Sequence, residues 1–265
     1  MANNELEAVA FGKTKEVLAP SGRLFVIREQ NGNDDDILSN PVTQKDLSNI
    51  DYFILNIVLY ELVDNEKVKL HLNDCLDLLI KDRIAIILES RIFTLGSLLK
   101  FNYNWGDAKD KNTVAYVEDL KRYIWDYTKD FPTEGMTGYD EYRIPPYQAG
   151  AYNKFMFTLS TGKVMRLNLM NRRGEKFLLG LAEEAVTKNA ELLARNLEIE
   201  VSGGNFTKVE NFGTFTKKEM TEIHAAVKEL DPTYNAFTDI KNPKTGEVLL
   251  YPIMAYSDFF FPTEV

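Results

Sequence analysis

From Leu99 to Trp105 apolar and polar residues alternate, with Leu99, Phe101, Tyr103 and Trp105 set against Lys100, Asn102 and Asn104. A period of two turns one side of an extended chain toward a core, so the stretch predicts a strand. Val114 to Val117 predicts its return across the polar loop Gly106 to Asn112. Two further hairpins carry the same signature. Pro20-Ser21-Gly22 is a turn sequence before the apolar run Leu24 to Ile27, and Ser160-Thr161-Gly162 is another after Phe155, Phe157 and Leu159. Proline presets its own backbone angle, and glycine tolerates a positive φ. A closing hairpin is predicted from Phe237 to Ile240 and Val248 to Ile253, joined by Asn242-Pro243-Lys244-Thr245-Gly246.

Other stretches repeat at helical spacing. Phe53, Ile54, Ile57, Val58 and Leu62 predict a helix from about Ser48 to Leu62, followed by a polar hairpin or loop from Asp64 to Lys69. Leu76, Leu79, Ile80, Ile84, Ile87 and Leu88 predict a second from Cys75 to Phe93, ended by Gly96. Glu175 to Glu200 reads as one long helix with Ser202-Gly203-Gly204-Asn205 as its C-cap. Thr216-Lys217-Lys218-Glu219 is a capping-box pattern opening a helix with Met220, Ile223, Val227 and Leu230 on one face; Asp231-Pro232 stops it. Asn31-Gly32-Asn33-Asp34-Asp35-Asp36 predicts a turn and a helix start, its acids near the positive end of the helix dipole.

These elements fall into a repeat. Setting Gly22 on Gly162 gives an offset of 140 residues (162 less 22), which also places Arg23 on Lys163, Asn31 on Asn171, Asp35 on Glu175, Leu38 on Leu178, Ile80 on Met220 and Ile87 on Val227. The pattern predicts an α+β fold of two similar units, each a β-hairpin, helices and a closing β-hairpin. The divisions are a flexible N-terminal arm over 1–16, a first unit over 17–119, an aromatic Pro/Gly-rich connector over 120–151, and a second unit over 152–265 with an aromatic C-terminus. Short strand-turn-strand patterns also recur by chance, and the duplication is the alternative that the shared offset favours. A chain built from two copies of a small unit points to a scaffold or adaptor more than to a one-site enzyme.

Composition narrows the function classes. The net charge of -9 argues against a general nucleic-acid binder, which needs a basic face to displace counterions. Cys75 is the only cysteine, so neither an internal disulfide nor a cysteine zinc site can form. That suits synthesis in a reducing cytoplasm. The start Met1 to Glu7 lacks the basic-then-apolar pattern of a signal peptide, and no apolar run approaches the roughly 20 residues that span a bilayer. No membrane partner is expected.

The search for chemistry yields no catalytic, cofactor-binding or metal-ligating set. The two histidines, His71 and His224, lack any metal-ligand spacing, and no phosphate-cradling glycine loop or nucleophile elbow is present. Asp34-Asp35-Asp36 and the group Asp107, Asp110 and Asn112 do not match an EF-hand spacing. What stands out is aromatic. Trp125, Tyr142 and Tyr147 lie in the connector, and Tyr256, Phe259, Phe260 and Phe261 end the chain. Each group either covers the protein's own core or anchors a partner, since aromatics carry much of the energy at interfaces. The candidate partner-binding residues are Trp125, Tyr142, Tyr147, Phe259, Phe260 and Phe261.

Pro20-Ser21-Gly22 followed by Ile27-Arg28-Glu29-Gln30-Asn31-Gly32-Asn33-Asp34 resembles the opening of small tail-assembly proteins of tailed phages. Asp82-Arg83-Ile84-Ala85-Ile86-Ile87-Leu88 with Arg91 and Thr94-Leu95-Gly96 resembles their central helix and following strand. Leu159 to Lys163, Glu175 to Leu179 and the Phe-rich terminus are similar to baseplate hub and hub-assembly proteins of T4-type contractile tails. The matched stretches cover about a third of the chain. Some relatives carry a cysteine-rich ribbon where this chain has hairpins near Asp107 and Asn242, so here those hairpins must hold without zinc. The resemblance implies a structural or assembly component of a phage or phage-like baseplate hub, made in the bacterial host cytoplasm. Its partners would be other baseplate or tail proteins or further copies of itself, with no cofactor and no nucleic acid. An assembly chaperone absent from the mature particle is the alternative; a phage-encoded enzyme is the third reading.

Overall fold

The computed structural model describes residues 12–106, 112–124, 154–231, 236–255 and 257–261. It is a mixed α+β protein with several small antiparallel sheets. The first sheet holds β1 (Thr14–Leu18), β2 (Leu24–Arg28), β3 (Val58–Val63) and β4 (Glu66–Val68) in that spatial order, with α1 (Gly32–Ser39) and α2 (Ser48–Ile57) between β2 and β3. α3 (Leu72–Asp77) and α4 (Ile80–Leu95) lead to the hairpin β5 (Leu98–Asn104) and β6 (Thr113–Asp119). The second sheet joins β7 (Lys154–Thr158), β8 (Val164–Asn168), β9 (Glu198–Ser202) and β10 (Asn205–Lys208), with α5 (Arg172–Leu179) and α6 (Lys188–Ala194) between β8 and β9. α7 (Lys217–Leu230), the hairpin β11 (Phe237–Lys241) and β12 (Val248–Pro252), and the single turn α8 (Ser257–Phe260) complete the described chain. None of these helices is long and apolar enough to cross a membrane.

β7, β8 and α5 each begin 140 residues after β1, β2 and α1. Gly22 and Gly162 turn their hairpins at φ +85° and +83°, where a side chain would be strained. Their N–H groups donate to Ala19 O and Leu159 O, both at 2.8 Å. Asn31 and Asn171 cap α1 and α5 with their side chains. The sheets differ in register: Phe25 faces Glu61, while Met165 faces Ile199, two residues short of the matching position.

Several sequence expectations need correction. The helix expected from Ser48 to Leu62 stops at Ile57, and Val58–Val63 is strand β3. The cause lies just beyond, where Asp64 and Asn65 both adopt positive φ and turn the chain back into β4. A two-residue hairpin loop needs that conformation. The helix expected from Cys75 to Phe93 breaks at Leu78 and Leu79. Their backbone is extended there because it pairs with the second half: Ile80 N–H donates to Met170 O at 2.9 Å, and Arg172 N–H to Leu78 O at 3.1 Å.

The long helix expected from Glu175 to Glu200 is α5, a 3-10 turn, α6 and β9. Gly203 and Gly204, at φ +54° and +83°, form the β9–β10 turn and are not a helix C-cap. Strand β1 begins at Thr14, inside the segment expected as an arm; residues 1–11 lie outside the described set. The capping box at Thr216 and Glu219 is formed as its sequence predicts.

Two apolar cores result. The first gathers Phe25, Ile27, Phe53, Ile54, Ile57, Ile86, Leu88 and Leu99, and also takes Ala236, Ile240, Tyr251, Ile253 and Phe259 from the end of the chain. The second gathers Phe155, Met165, Leu167, Leu192, Leu197 and Ile223, and takes Leu79 from the first half. The two hairpins meet through aromatic rings. Phe101 stacks on Tyr116 at 5.6 Å and on Tyr251 at 4.4 Å, and Tyr116 Oη donates to Lys241 O at 2.8 Å. Ring stacking and this hydrogen bond tie one hairpin to the other.

Candidate partner-binding surface

The C-terminal segment is held by a buried cation. Arg91, on α4, donates through Nε to Phe259 O at 2.8 Å and through Nη1 to Gly96 O at 2.9 Å. Burial lowers its pKa from the ordinary arginine value, and the two carbonyl dipoles receive its guanidinium. Phe259 is thereby fixed with no exposed surface. Its neighbours fan outward: Phe260 meets Phe53 edge-on at 5.9 Å and Phe259 at 4.9 Å, and Phe261 lies 6.5 Å from Phe260. Both outer rings are half-buried.

Phe260 and Phe261 form a ridge between two concavities. On one side is a cleft of about 810 Å³, floored by Leu38, Ile50, Ile80, Ile84 and Ile87 and walled by Phe237, Pro252 and Met254. On the other is a smaller cleft of about 430 Å³ against Gln30, Asn31, Asp35, Thr94 and Leu95. Leu47 stands on the rim of the larger cleft, 41% exposed and at φ +59°. A branched side chain in that region is strained. On β11–β12 the register places Phe237, Leu250 and Val248 on one outward face, with Asp239 and Lys241 between them. Leu250 and Val248 on that face are 59% and 57% exposed.

Beneath the cleft lies an ionic cluster. Asp51 receives Arg83 Nη2 at 2.6 Å and Arg172 Nε at 3.0 Å. Arg172, fully buried, also donates to Glu175 Oε2 at 2.8 Å and to Asp46 O at 2.5 Å. Burial works against its charge, but Asp51 and Glu175 outweigh burial and raise its pKa further. Cys75 packs here with its Sγ 3.6 Å from Arg83 Nη1. Burial pushes its thiol up to about 11 against the opposing pull of Arg83, so the thiol stays protonated near neutral pH. A second cluster joins the halves through Asp231, which pairs with Lys81 at 3.1 Å and with Arg195. Burial would raise the Asp231 pKa, but Lys81, Arg195 and the Met170 N–H together lower it.

The carboxylates at the two hairpin turns contrast in environment. Ser21 N–H donates to Asp82 Oδ1 at 2.9 Å, and Ser160 N–H donates to Glu222 Oε2 at 2.8 Å. Hydrogen bonds from Ser160 lower the Glu222 pKa. Asp82 is fully buried, its Oδ2 accepts no hydrogen bond, and burial raises its pKa to about 6. Between 3.8 and about 6 the folded state therefore holds a proton that the unfolded chain has lost. Stability from this group is present below 3.8 and lost as pH rises through 6, a fall on the order of 2–3 kcal/mol. Urea denaturation at stepped pH is expected to show this fall in the parent and its absence in Asp82→Asn. Parallel curves for the two would contradict the assignment.

Of the six sequence-predicted partner residues, Trp125, Tyr142 and Tyr147 lie outside the described residues. Phe260 and Phe261 sit together on the ridge. Phe259 is corrected to a core residue, because it offers no surface to a partner. Among the described residues no group of three His, Cys, Asp or Glu side chains could hold a metal. His71 is exposed at the start of α3; His224 is half-buried on α7. The residues that sequence reasoning missed are the buried charges Asp51, Arg83, Arg91 and Arg172. The first three interrupt apolar helical stripes, and that interruption is a readable signal. Comparison with protein-family models, with curated proteins and with solved structures gives no significant match.

Proposed function

We propose that the chain is a structural or assembly component of a phage-type contractile tail baseplate hub, acting through protein–protein contacts. The observation that carries the contact reading is the apolar cleft beside Phe260 and Phe261, with exposed Phe237, Val248 and Leu250 on the neighbouring hairpin. The tail assignment is supported by the resemblance of the Pro20–Asp34, Asp82–Gly96 and Leu159–Lys163 stretches to tail-assembly and hub proteins. We also read the chain as two copies of one α+β unit. Support comes from the 140-residue spacing of β1–β2–α1 and β7–β8–α5 and from the same strand order in both sheets. The two-residue register difference, and the 3-10 turn Phe212–Thr214 where the first half has α3, are where the copies have diverged.

The test is particle composition. A hub component remains in purified particles and is detected there by mass spectrometry, whereas an assembly chaperone is absent. The double variant Phe260→Ser, Phe261→Ser is expected to melt cooperatively as an isolated protein and to be missing from particles. Normal incorporation of the variant would remove the ridge from the interface.

A further inference from the structure

The two long helices are covered differently. No residue of α4 from Ile80 to Leu95 is exposed. Its Ile80, Ile84 and Ile87 side faces the larger cleft, whose other lining residues include Phe237, Met254, Phe260 and Phe261. At the 140-residue offset, Asn49, Ile80 and Ile84 correspond to Asn189, Met220 and His224. Those three line a separate cleft of about 760 Å³ with Lys188, Lys217 and the loop Glu210–Gly213. Nothing among the described residues closes this second face, and on α7 Lys217, Lys218, Thr221, Ala225 and Lys228 are exposed. The matching faces of the two halves thus line clefts of different chemistry, the first apolar and the second flanked by lysines.

The chemistry of the open face differs from the first. Lys188 and Lys217 make no ion pair among the described residues, in a chain whose net charge is -9. His224 between them is half-buried, and its pKa is lowered by burial and by both lysines, against the opposing pull of Glu191. Glu210 stands on the rim. Met220 and Phe212 supply half-buried apolar surface to the same cleft. Unpaired cations around an amphipathic cleft favour an anionic chain that also brings apolar side chains.

We propose that the cleft between the start of α6, α7 and the loop Glu210–Gly213 is a docking site for an acidic, partly apolar segment of a partner protein. The proposal rests on the protein-contact reading and adds the partner's chemistry. His224 and His71 are the only histidines, so proton NMR resolves the site directly. A short peptide alternating glutamate with leucine, added to the full chain, is expected to bind and to raise the His224 pKa while His71 is unmoved. Lys188→Glu with Lys217→Glu is expected to weaken that binding at least about tenfold without lowering the melting temperature.

Three outcomes overturn the site: no binding, equal binding of a lysine–leucine peptide, or binding unchanged in the double variant. A His224 shift produced equally by inorganic phosphate overturns it as well, since that marks a small-anion site. Should the double variant fail to fold, Lys188→Gln with Lys217→Gln replaces it, with an expected loss of at least about threefold. The outcomes are separable from the hub reading. Presence in particles with no peptide binding rejects this cleft alone, and peptide binding with absence from particles rejects the hub alone.

Discussion

Asp51→Ala is expected to destabilise the protein by about 3–5 kcal/mol, read as a lower urea midpoint at unchanged slope. Asp51 is the carboxylate that Arg83 and Arg172 share, and all three side chains are almost wholly buried. Removing it leaves two guanidinium groups facing one another away from water. Among the described residues Arg172 keeps Glu175, and Arg83 keeps only the weak contact to Cys75 Sγ. The loss is due to stranded charge more than to missing attraction, which gives a second expectation. The triple variant Asp51→Leu, Arg83→Met, Arg172→Met should recover most of the stability, because an apolar cluster of similar size carries no desolvation cost. A single-variant loss below about 1 kcal/mol would show that water reaches the cluster.

Phe259→Ala should cost about 3–5 kcal/mol, a fall of roughly 10 °C in the melting temperature by calorimetry. The ring fills the first core, and the backbone beside it receives Arg91. Deleting it opens a cavity and loosens the carbonyl that the buried cation needs. Phe261→Ala, two residues on, is expected to cost less than about 1.5 kcal/mol, since its ring is only half-buried. Similar losses at the two positions would mean that the ridge is core and would leave the cleft without its wall.

The hairpins were legible in the sequence, and the long helices less so. Pro20-Ser21-Gly22 and Ser160-Thr161-Gly162 specify their turns locally, and the alternation from Leu99 to Trp105 needs only one covered face. Ser48 to Leu62 misleads because its apolar spacing fits a helix throughout, while Asp64 and Asn65 in positive φ decide for a strand from Val58. Glu175 to Glu200 misleads similarly; Gly180, the Thr187 cap and Asn196 at φ +48° divide it. The break at Leu78 and Leu79 had no local signal, because its cause is pairing with Met170 and Arg172 on the other half.

The aromatic terminus was singled out by its composition. Consecutive phenylalanines cannot share one face, and the structure divides them, Phe259 inward and its neighbours outward. Which ring turns inward depends on Arg91, a residue 168 positions earlier.

That distance has a consequence for synthesis. Ala236, Ile240, Tyr251, Ile253 and Phe259 complete a core whose other members lie between residues 17 and 120, so the first half leaves the ribosome with an unfilled apolar hollow. The second core draws on residues between 155 and 227 and on Leu79, all made before residue 236, so it can close before the first is finished. Order of folding is then the reverse of order of translation for the larger core, and a chain halted shortly before residue 236 would present bare isoleucine and phenylalanine to the cell. Interrupting the chain between residues 236 and 259 is therefore expected to cost more than those residues' own contacts, because it unseals a core assembled from residues about 200 positions earlier.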